Sequence, residues 1–375
     1  MRIGLIVAGG VDRSGRERVL PELLDFIERI AQRHELHVFV LQYYREPCEY
    51  TLLGATVHDL GRIDRPRGLR AWLMRRRLQD AIERLGGFDV LHAYWGMPTG
   101  LVTVDVGSAL GTPTIVTLTT GELVAIDEIE YGLQRRGRDR RAIERIFDRA
   151  TQVTTPTEYM RRLAGAHTER VTVVPMGLCA NRFSQSATAD GPPWRLLRVA
   201  TINRVKDYPL LLEALARVLR AEADTRLDIV GEDVLEGSMR ALAERLSISE
   251  RVTFHGYQAM DRLPAFYAHA HLHVVSSHHE ASSVTTIEAA LAGVPTVGTA
   301  VGHLADWSAL DPPGALTIAD RTPDALAGAI VTLLRDPPRR RQLAAAARAW
   351  ALAHDADWTA TTFEAVYARV AAAAR

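Results

Sequence analysis

Cysteine is scarce in this sequence, since Cys48 and Cys179 are the only two among 375 residues. They are far apart and form no pair motif, which excludes a disulfide scaffold and makes a reducing cytoplasm the expected location. No hydrophobic run approaches the roughly 20 residues that cross a bilayer. The N-terminal run MRIGLIVAGG ends in glycines and lacks a small-residue cleavage site, so it predicts a first strand rather than a signal peptide.

Net charge is absent as well, because 45 Lys and Arg residues balance 45 Asp and Glu residues. This balance does not fit a generally basic nucleic-acid binder. Lysine is almost missing: Lys206 is the single one, and every other basic residue is arginine. We interpret the arginine excess as a coding bias and Lys206 as a candidate for a chemical role, with chance as the alternative. Arginine-rich stretches at 62–77 and 135–141 predict solvated faces, the alternative being weak contact with a membrane surface or an acidic acceptor.

The rest of the composition, 47% hydrophobic and 24% charged, is typical of a soluble globular protein. Short β-branched runs alternate with amphipathic stretches in both halves, which predicts βαβ units and parallel sheets covered on both faces. The alternation stops over PMGLCANRFSQSATADGPPW, a stretch typical of a linker. We therefore expect an α/β fold of two doubly wound, Rossmann-like domains, 1–175 and 195–354, with a linker at 176–194 and a last helix at 355–375. Because such sheets bind ligands outside the carboxyl ends of their strands, the two domains are expected to face a cleft.

These patterns also place the individual elements. The predicted strands are 3–8, 36–41, 90–92, 114–118, 152–154, 171–174, 196–202, 226–230, 252–254, 272–275 and 296–297. The predicted helices are 16–33, 69–85, 99–110, 138–149, 158–164, 210–221, 235–246, 262–269, 284–292 and 323–334, with a helical tail from 339.

The strongest chemical signal is HHEASSVTTIEAALAGVPTV, residues 278–297, in which Glu280 and Glu288 are separated by seven residues. Glu280 ends a loop after a predicted strand, and Ser283 precedes a helix that begins at Val284. A helix entered through small hydroxyl residues presents amide groups and a positive dipole end, which suits a phosphate. Glu288 and Glu280 are carboxylates that can accept hydrogen bonds from ribose or other polyol hydroxyls.

Two further turns follow predicted strands. In VATINRVKDYPLLLEAL, residues 199–215, Arg204 and Lys206 stand between a strand and a helix, where two cations suit a diphosphate. In GGVDRSG, residues 9–15, Gly9 and Gly10 permit a tight turn and the close approach of a ligand to the backbone. This is not a full Gly-x-Gly-x-x-Gly, so it predicts a glycine turn facing the cleft rather than a dinucleotide site.

Together these stretches resemble the retaining glycosyltransferases of GT-B fold in glycosyltransferase family 4, over essentially the whole chain. Four other segments support the resemblance: FDVLHAYWGMPTG, PTIVTLTTGELV, VTVVPMGLCANRF and SERVTFHGYQAMDRLPAFYAHAHLHVVSSHHE. The resemblance implies that the first domain binds the acceptor, that the second binds a nucleotide sugar, and that the last helix crosses back onto the first domain.

The resemblance also implies residue roles. The residues implied in catalysis are Lys206, Arg204, Glu280 and His92, with Arg204 and Lys206 on the diphosphate and Glu280 on the donor sugar. Donor binding is implied for Glu288 on the ribose and for Ser283, Val284, Gly10 and Gly256. Contact with the acceptor or its surroundings is implied for Gly9, Gly121 and Glu122.

Several positions depart from the family pattern. Ala200 and Thr201 stand where the family often has Gly-Arg, so either Arg204 supplies the guanidinium or Lys206 acts alone. Thr119 and Thr120 occupy the region of the usual histidine before Gly121, which argues against activation of the donor by histidine. Met176 replaces an asparagine, and Ala281 replaces a glycine.

We expect a retaining hexosyltransferase without cofactor or metal, which transfers a sugar from a nucleoside-diphosphate sugar to a sugar, lipid-linked or small-molecule hydroxyl. Neither a nucleic-acid partner nor an oligomeric state is predicted. The alternatives are a nucleotide-sugar 2-epimerase, a silent nucleotide-sugar-binding subunit, and a pyridoxal phosphate enzyme with Lys206 as its Schiff base. Metal sites at Asp355 and Asp357, or among His271, His273, His278 and His279, are further alternatives.

Overall fold

The computed structural model describes residues 1–184 and 190–373. The chain folds into two compact units: a first unit, Met1–Gly177 together with the C-terminal helix from Ala356, and a second unit, Leu178–Asp355. In the stretch expected to be a linker, Met176 is buried in the core of the first unit. Residues 185–189 of that stretch lie outside the described residues.

The strands form one sheet in each unit. Their bounds are β1 Arg2–Val7, β2 Glu35–Val40, β3 Cys48–Leu52, β4 Ala55–Asp59, β5 Val90–Tyr94, β6 Thr114–Thr117, β7 Gln152–Thr155, β8 Val171–Val173, β9 Trp194–Val199, β10 Thr225–Val230, β11 Val252–Phe254, β12 Leu272–Val275, β13 Thr296–Thr299 and β14 Ala315–Ile318.

The α-helices alternate with these strands over most of the chain. Their bounds are α1 Pro21–Ala31, α2 Arg67–Arg84, α3 Leu101–Leu110, α4 Gly137–Arg149, α5 Glu158–Leu163, α6 Tyr208–Ala221, α7 Ser238–Arg245, α8 Leu263–Ala268, α9 Val284–Leu291, α10 Gly302–Ser308, α11 Pro323–Arg335, α12 Pro337–Ala353 and α13 Ala356–Ala373. Among the described residues, no helix combines the length and the hydropathy that a membrane span requires.

The sheet of the first unit has the strand order β3-β4-β2-β1-β5-β6-β7-β8. Its pairings are parallel except that of β3 with β4, which is antiparallel. The two strands are joined by Leu53 and Gly54, whose φ angles of 49° and 85° both lie in the left-handed region, as a two-residue hairpin requires. The sheet is therefore mixed, and the sequence pattern missed this hairpin because leucine is not a typical residue for its first turn position.

Apolar strands and helices build the core of the first unit. Ile3, Leu5 and Val7 of β1 are fully buried, as expected for a strand covered on both faces. The C-terminal helix α13 packs against α1 and β5, and its Phe363 lies 5.1 Å from Phe26 of α1 between ring centroids. The last helix is thus part of the first unit.

The sheet of the second unit has the strand order β11-β10-β9-β12-β13-β14, and its described pairings are parallel. The chain runs outward from β9 to β11, and then returns to the other side of β9 with β12. This reversal makes the carboxyl ends of β9 and β12 a topological switch point, where doubly wound sheets bind their ligands.

The predicted fold class, two doubly wound parallel-sheet α/β domains, is confirmed, but some elements differ from the prediction. Helix α1 begins at Pro21 rather than at residue 16, because the chain before it turns through Arg18, whose φ is 52°. Neither α10 nor β14 was predicted.

Candidate active site

Two loops of the second unit meet at the switch point between β9 and β12. The hydroxyl of Ser276 donates to the carbonyl oxygen of Lys206 at 2.8 Å, and the amide of His278 donates to the carbonyl oxygen of Val205 at 2.8 Å. These bonds tie the turn after β9 to the loop after β12. The structure therefore brings together Lys206 and Glu280, which belong to two separate motifs of the sequence.

The carboxylate of Glu280 is held on both oxygens. Lys206 Nζ lies 2.7 Å from Glu280 Oε2. Glu280 Oε1 accepts a hydrogen bond of 2.7 Å from the hydroxyl of Ser277 and lies 3.4 Å from Nη2 of Arg198. The same Nη2 donates to the Ser277 hydroxyl at 2.7 Å. Two cations and a hydroxyl therefore surround one carboxylate.

These charges decide the protonation of Glu280. Burial by itself raises the pKa of this carboxyl, but the nearby cations Lys206 and Arg198 outweigh burial and lower its pKa to about 2. Glu280 is thus an ionised hydrogen-bond acceptor at neutral pH. The cluster keeps one positive charge in excess, which favours an anionic ligand.

Helix α9 begins directly after this loop. Its N-cap residue, Ser283, has a φ of 68°, and its side chain makes no capping hydrogen bond. The Ser283 hydroxyl instead pairs with the hydroxyl of Thr286 at 2.8 Å. The start of α9 at Val284 is therefore left to other acceptors, and a helix N-terminus is a favourable place for a phosphate oxygen.

Glu288 lies one helical turn further along α9 and is 2% exposed. Tyr267 of α8 donates from its hydroxyl to Glu288 Oε2 at 2.7 Å and contacts the carbonyl oxygen of Thr285 at 3.1 Å. Burial, together with the charge of Glu288, raises the pKa of Tyr267 well above its usual value, so this hydroxyl stays protonated and donates. Tyr267 fixes the carboxylate that was predicted to bind the ribose.

The backbone of the Glu280 loop rests on the first residues of α10. The amide of His303 donates to the carbonyl oxygen of Ser282 at 3.0 Å. Gly302 has a φ of 49°, and a Cβ placed on it would lie 2.7 Å from the same carbonyl oxygen. Only glycine allows this close approach, so Gly302 helps to shape the loop that carries Glu280.

The other residues predicted in the second unit lie at the same carboxyl edge of the sheet. Arg204 is exposed and begins a short 3₁₀ turn that ends at Lys206. The side chain of Asn203 caps this turn by accepting from the Lys206 amide at 3.2 Å. Gly256 follows β11 with a φ of 68°, and a Cβ there would meet no atom within 4 Å.

Gly9 and Gly10 follow β1 in the first unit. Gly10 has a φ of 79°, and a Cβ on it would lie 2.8 Å from the Leu20 side chain. The loop beyond them is held by Asp12, which accepts from the hydroxyl of Tyr44 at 2.7 Å. The predicted glycine turn is present, and its backbone conformation requires glycine at position 10.

His92 lies in the core of the first unit rather than at its edge. It is 1% exposed, and its ring nitrogens lie 2.7 Å from the Tyr367 hydroxyl and 2.7 Å from the Thr117 hydroxyl. Burial lowers its pKa to about 3. A neutral imidazole engaged on both sides joins α13 to the sheet, and this geometry does not support the predicted catalytic role.

Gly121 and Glu122 are also interior residues. Glu122 is fully buried and accepts from the amides of Gly96 at 2.9 Å and Thr120 at 2.6 Å. A Cβ on Gly121 would lie 2.7 Å from the ring of Tyr131. These contacts hold two loops of the first unit together, and the contact of either residue with an acceptor stays a prediction.

The metal alternatives find no cluster in the described structure. Within residues 1–184 and 190–373, no group of three or more His, Cys, Asp or Glu side chains is arranged to hold a metal ion. Asp357, from the Asp-x-Asp spacing, instead pairs with Arg29 of α1 at 2.7 Å.

Three residues of the site were not predicted from the sequence: Arg198, Ser277 and Tyr267. Arg198 had a detectable signal, because a charged residue inside the apolar run LLRV of a doubly covered strand requires a buried partner. Ser277 and Tyr267 carried no such signal, since serine and tyrosine are common in loops and helices of any function.

Comparison with known proteins agrees with this architecture. Residues 21–177 match the family model described as Glycosyl transferase 4-like domain, and residues 181–350 match the one described as Glycosyl transferases group 1. The two matches are consecutive and leave only short stretches of the chain uncovered. The protein is therefore a glycosyltransferase. It belongs to glycosyltransferase family 4 and has the GT-B fold.

Individual relatives are similar over different parts of the chain. The D-inositol 3-phosphate glycosyltransferase of Frankia alni is 28% identical over 77% of this chain and 76% of its own length. The glycogen synthase of Mycobacterium tuberculosis is 30% identical over 52% of this chain and 47% of its own length.

Solved structures show the same fold at lower identity. Sucrose-phosphate synthase from Thermosynechococcus elongatus has a TM-score of 0.78 at 19% identity, with all of both chains covered. Anabaena HepE in complex with UDP-glucose has a TM-score of 0.72 at 15% identity, with 98% of this chain and 100% of that chain covered.

Proposed function

We propose that this protein transfers a hexosyl residue from a nucleoside-diphosphate sugar to a hydroxyl acceptor, with retention of the anomeric configuration and without a metal ion. The observation that carries the proposal is the contact between Lys206 and Glu280 beside the start of α9. It places a mobile cation, an ionised acceptor and a helix N-terminus around one point at the switch of the sheet. A diphosphate with a sugar attached has the matching groups.

Each group has a part in the proposed donor site. Lys206, with Arg204 at the other end of the turn and the first amides of α9, binds the diphosphate. Glu280 accepts hydrogen bonds from the sugar hydroxyls, and Glu288, held by Tyr267, accepts from the ribose. The complex of Anabaena HepE with UDP-glucose makes a uridine nucleotide the first donor to test.

The proposed reaction breaks the bond between the anomeric carbon and the diphosphate oxygen, and forms a bond to the acceptor oxygen on the same face. The departing electron pair stays on the diphosphate, which takes the acceptor proton. Fixed cations near the diphosphate stabilise the charge that develops there, and the sugar becomes oxocarbenium-like in the transition state. This route needs no histidine, in agreement with Thr119 and Thr120 at the position of the usual family residue.

For the acceptor we propose a sugar, lipid-linked or small hydroxyl compound that carries a phosphate. The loop after Gly10 presents Arg13, Arg16 and Arg18 as exposed side chains at the carboxyl edge of the first sheet. The guanidinium of Arg13 lies over the ring of Tyr44 at 5.2 Å from its centroid. The names of two relatives, a D-inositol 3-phosphate glycosyltransferase and a sucrose-phosphate synthase, point to the same chemistry.

The test begins with thermal shifts of the purified chain in UDP, UDP-glucose, UDP-N-acetylglucosamine, GDP and GDP-mannose, because a ligand that binds the folded state raises the Tm. The stabilising sugar nucleotide is then incubated with phosphorylated and unphosphorylated polyols, with and without EDTA. NMR of the product gives the anomeric configuration. Transfer that survives EDTA and retains configuration supports the proposal.

Other outcomes identify the alternatives. Tight binding without transfer or hydrolysis indicates a silent nucleotide-sugar-binding subunit. A changed sugar in the absence of acceptor indicates a nucleotide-sugar 2-epimerase. An absorbance band beyond that of the protein indicates pyridoxal phosphate.

We also propose a peripheral contact of α2 with an anionic membrane surface in the cytoplasm. Leu69 and Trp72, three residues apart on α2, are each 48% exposed, and Arg75 and Arg76 are exposed next to them. Apolar side chains flanked by arginine suit the headgroup region of an anionic bilayer. Cys48 and Cys179 are the only cysteines of the sequence, and so low a cysteine content agrees with a reducing compartment.

Sedimentation with vesicles tests this contact. We expect binding to vesicles that contain phosphatidylglycerol, several-fold weaker binding for Trp72→Ala, and unchanged binding for Leu352→Ala, an exposed leucine of the second unit. Equal binding of Trp72→Ala and the wild type would reject the contact.

A further inference from the structure

Arg198 is a buried cation in the middle of β9. Its side chain is fully buried, and among the described residues its Nε and Nη1 atoms have no hydrogen-bond partner. A buried guanidinium with unused donors is costly unless its charge is matched. Arg340, another buried arginine of this unit, by contrast donates to the carbonyl oxygens of Leu333 and Leu334 and to Asp190. The partners of Arg340 lie away from the candidate site, whereas Arg198 reaches Ser277 and Glu280, which belong to it.

The charge of Arg198 is directed to one oxygen of Glu280. Nη2 donates to the Ser277 hydroxyl at 2.7 Å, that hydroxyl donates to Glu280 Oε1 at 2.7 Å, and Nη2 itself lies 3.4 Å from Oε1. Lys206 holds the other oxygen, Oε2. The two cations therefore act on different oxygens, and of the two only Lys206 has a partly exposed side chain.

We propose that Arg198 is a positioning residue, which keeps Glu280 ionised and oriented towards the donor sugar while Lys206 turns from Glu280 to the diphosphate. This inference rests on the proposed function. Arg198 lies beneath Glu280 without exposure, so it acts through that carboxylate and not by contact with substrate. When Lys206 moves to the donor, Glu280 loses one of its two neighbouring cations, and Arg198 remains as the other.

Glu280 has other polar neighbours. Two of them, Tyr208 and His273, have a shifted pKa and are uncharged at neutral pH. Tyr208 of α6 and His273 of β12 face the cluster, and His278 and His279 precede Glu280 in its own loop. Burial and the charge of Arg198 lower the pKa of His273 to about 3, so this imidazole is neutral. Burial, partly offset by Arg198, raises the pKa of Tyr208 to about 12. Both side chains are uncharged at neutral pH.

The experiment uses Arg198→Met, which keeps the length of the side chain and removes its charge, and Arg198→Lys, which restores a charge. Arg340→Met is the matched control, because it removes a buried arginine of the same unit away from the cluster. The affinities for UDP-glucose and UDP are measured from about pH 4.5 to 8, together with kcat/KM. GDP-mannose and GDP replace them if the thermal shifts select guanosine.

We expect Arg198→Met to bind the nucleotide as the wild type does, and to lose roughly tenfold of its preference for the sugar nucleotide, because an unpaired carboxylate holds the sugar hydroxyls less well. An acidic limb of kcat/KM is expected to enter the measured range for Arg198→Met, since a carboxylate that has lost a neighbouring cation protonates at higher pH. In the wild type the Glu280 limb lies below that range, because its pKa is about 2. Arg198→Lys is expected to recover part of both effects. Arg340→Met is expected to lower the Tm and to leave the preference and the limb unchanged.

Ser277→Ala tests the same link if Arg198→Met does not fold, because it removes only the hydroxyl between Arg198 and Glu280. We expect a smaller loss in the same direction. A folded Arg198→Met, or failing that Ser277→Ala, with the wild-type preference and acidic limb overturns the inference and leaves the proposed function intact. A wild type that neither prefers a sugar nucleotide nor transfers a sugar overturns the proposed function itself.

Discussion

Three buried carboxylates of this protein differ in chemistry because their neighbours differ. Glu280 has two cations beside it, and its pKa is lowered to about 2 despite burial. Glu22 has no cation among its main influences, and burial raises its pKa to about 7. Glu288 accepts a bond from Tyr267. The residue type alone does not decide which carboxylate stays ionised.

The first prediction at this scale concerns Lys206. We expect Lys206→Ala to lower kcat at saturating donor about a hundredfold, or roughly 3 kcal/mol, because a fixed cation no longer stabilises the leaving diphosphate. Steady-state transfer kinetics measure this effect. Arg204→Ala is the matched variant, since it removes the other cation of the same turn and shows whether Arg204 shares the role. An unchanged kcat in Lys206→Ala would contradict the proposed mechanism.

The second prediction concerns Tyr267. Tyr267→Phe removes the hydroxyl that holds Glu288, and we expect the KM for the donor to rise about fivefold to tenfold, the equivalent of ~1 kcal/mol, with little change in kcat. Tyr367→Phe is the control, because its hydroxyl bonds to His92 in the first unit. It is expected to lower the Tm without changing the KM for the donor. Equal donor KM values for Tyr267→Phe and the wild type would separate Glu288 from donor binding.

At the scale of elements, the site depends on how the loop after β12 is supported. The loop is tied to the turn after β9 by Ser276 and His278, and it rests on α10 through Ser282 and His303. The turn after β9 and the start of α10 reach this loop because β9, β12 and β13 are neighbouring parallel strands. The conformation of the loop is therefore a property of three neighbouring βα connections.

The prediction at this scale concerns Gly302. Gly302→Ala forces a side chain against the Ser282 carbonyl at a positive φ, and we expect it to lower the free energy of unfolding by about 1–3 kcal/mol and to weaken donor binding. Gly328→Ala is the control, because a Cβ there meets nothing within 4 Å on an exposed part of α11, where alanine adds roughly 0.5–1 kcal/mol of stability. Chemical denaturation and donor titration measure both effects. Equal stability of the two variants would show that the loop tolerates a shift.

At the scale of the whole molecule, the two units differ in their buried titratable groups. In the second unit, burial lowers the pKa values of His273 and His303 to about 3. The unfolded chain takes up these protons near pH 6.5, so stability falls as the pH drops below that value, by ~1.4 kcal/mol per pH unit for each histidine. In the first unit, His92 acts in the same direction, but Glu22, with its raised pKa, takes up a proton in the folded state below about pH 7 and opposes it.

We therefore predict that the second unit loses stability more steeply than the first between about pH 6.5 and pH 4.5. Hydrogen exchange followed peptide by peptide at about pH 7 and pH 5 measures the difference. Glu22→Gln is the matched variant, because it removes the opposing group and makes the first unit more sensitive to acid. Earlier loss of protection in β1 and β5 than in β9 and β12 of the wild type would show that other groups dominate.

Local patterns in the chain were enough to predict the α/β class, most strands and helices, and the candidacy of Lys206, Glu280 and Glu288. These features follow from hydrophobic periodicity and from the position of residues just after strands, and both are local properties of the chain. The carboxyl ends of parallel strands lie at one edge of the sheet, so a residue that directly follows a predicted strand is expected at that edge.

Which of the predicted residues meet, and in what state, is known only from the folded chain. Folding joined Lys206 to Glu280, placed Arg198 and Tyr267 beside the two carboxylates, and put His92 in the core rather than at the site. The physical reason is that burial, ionisation and hydrogen-bond partners come from segments distant in the chain, whose approach no local pattern encodes.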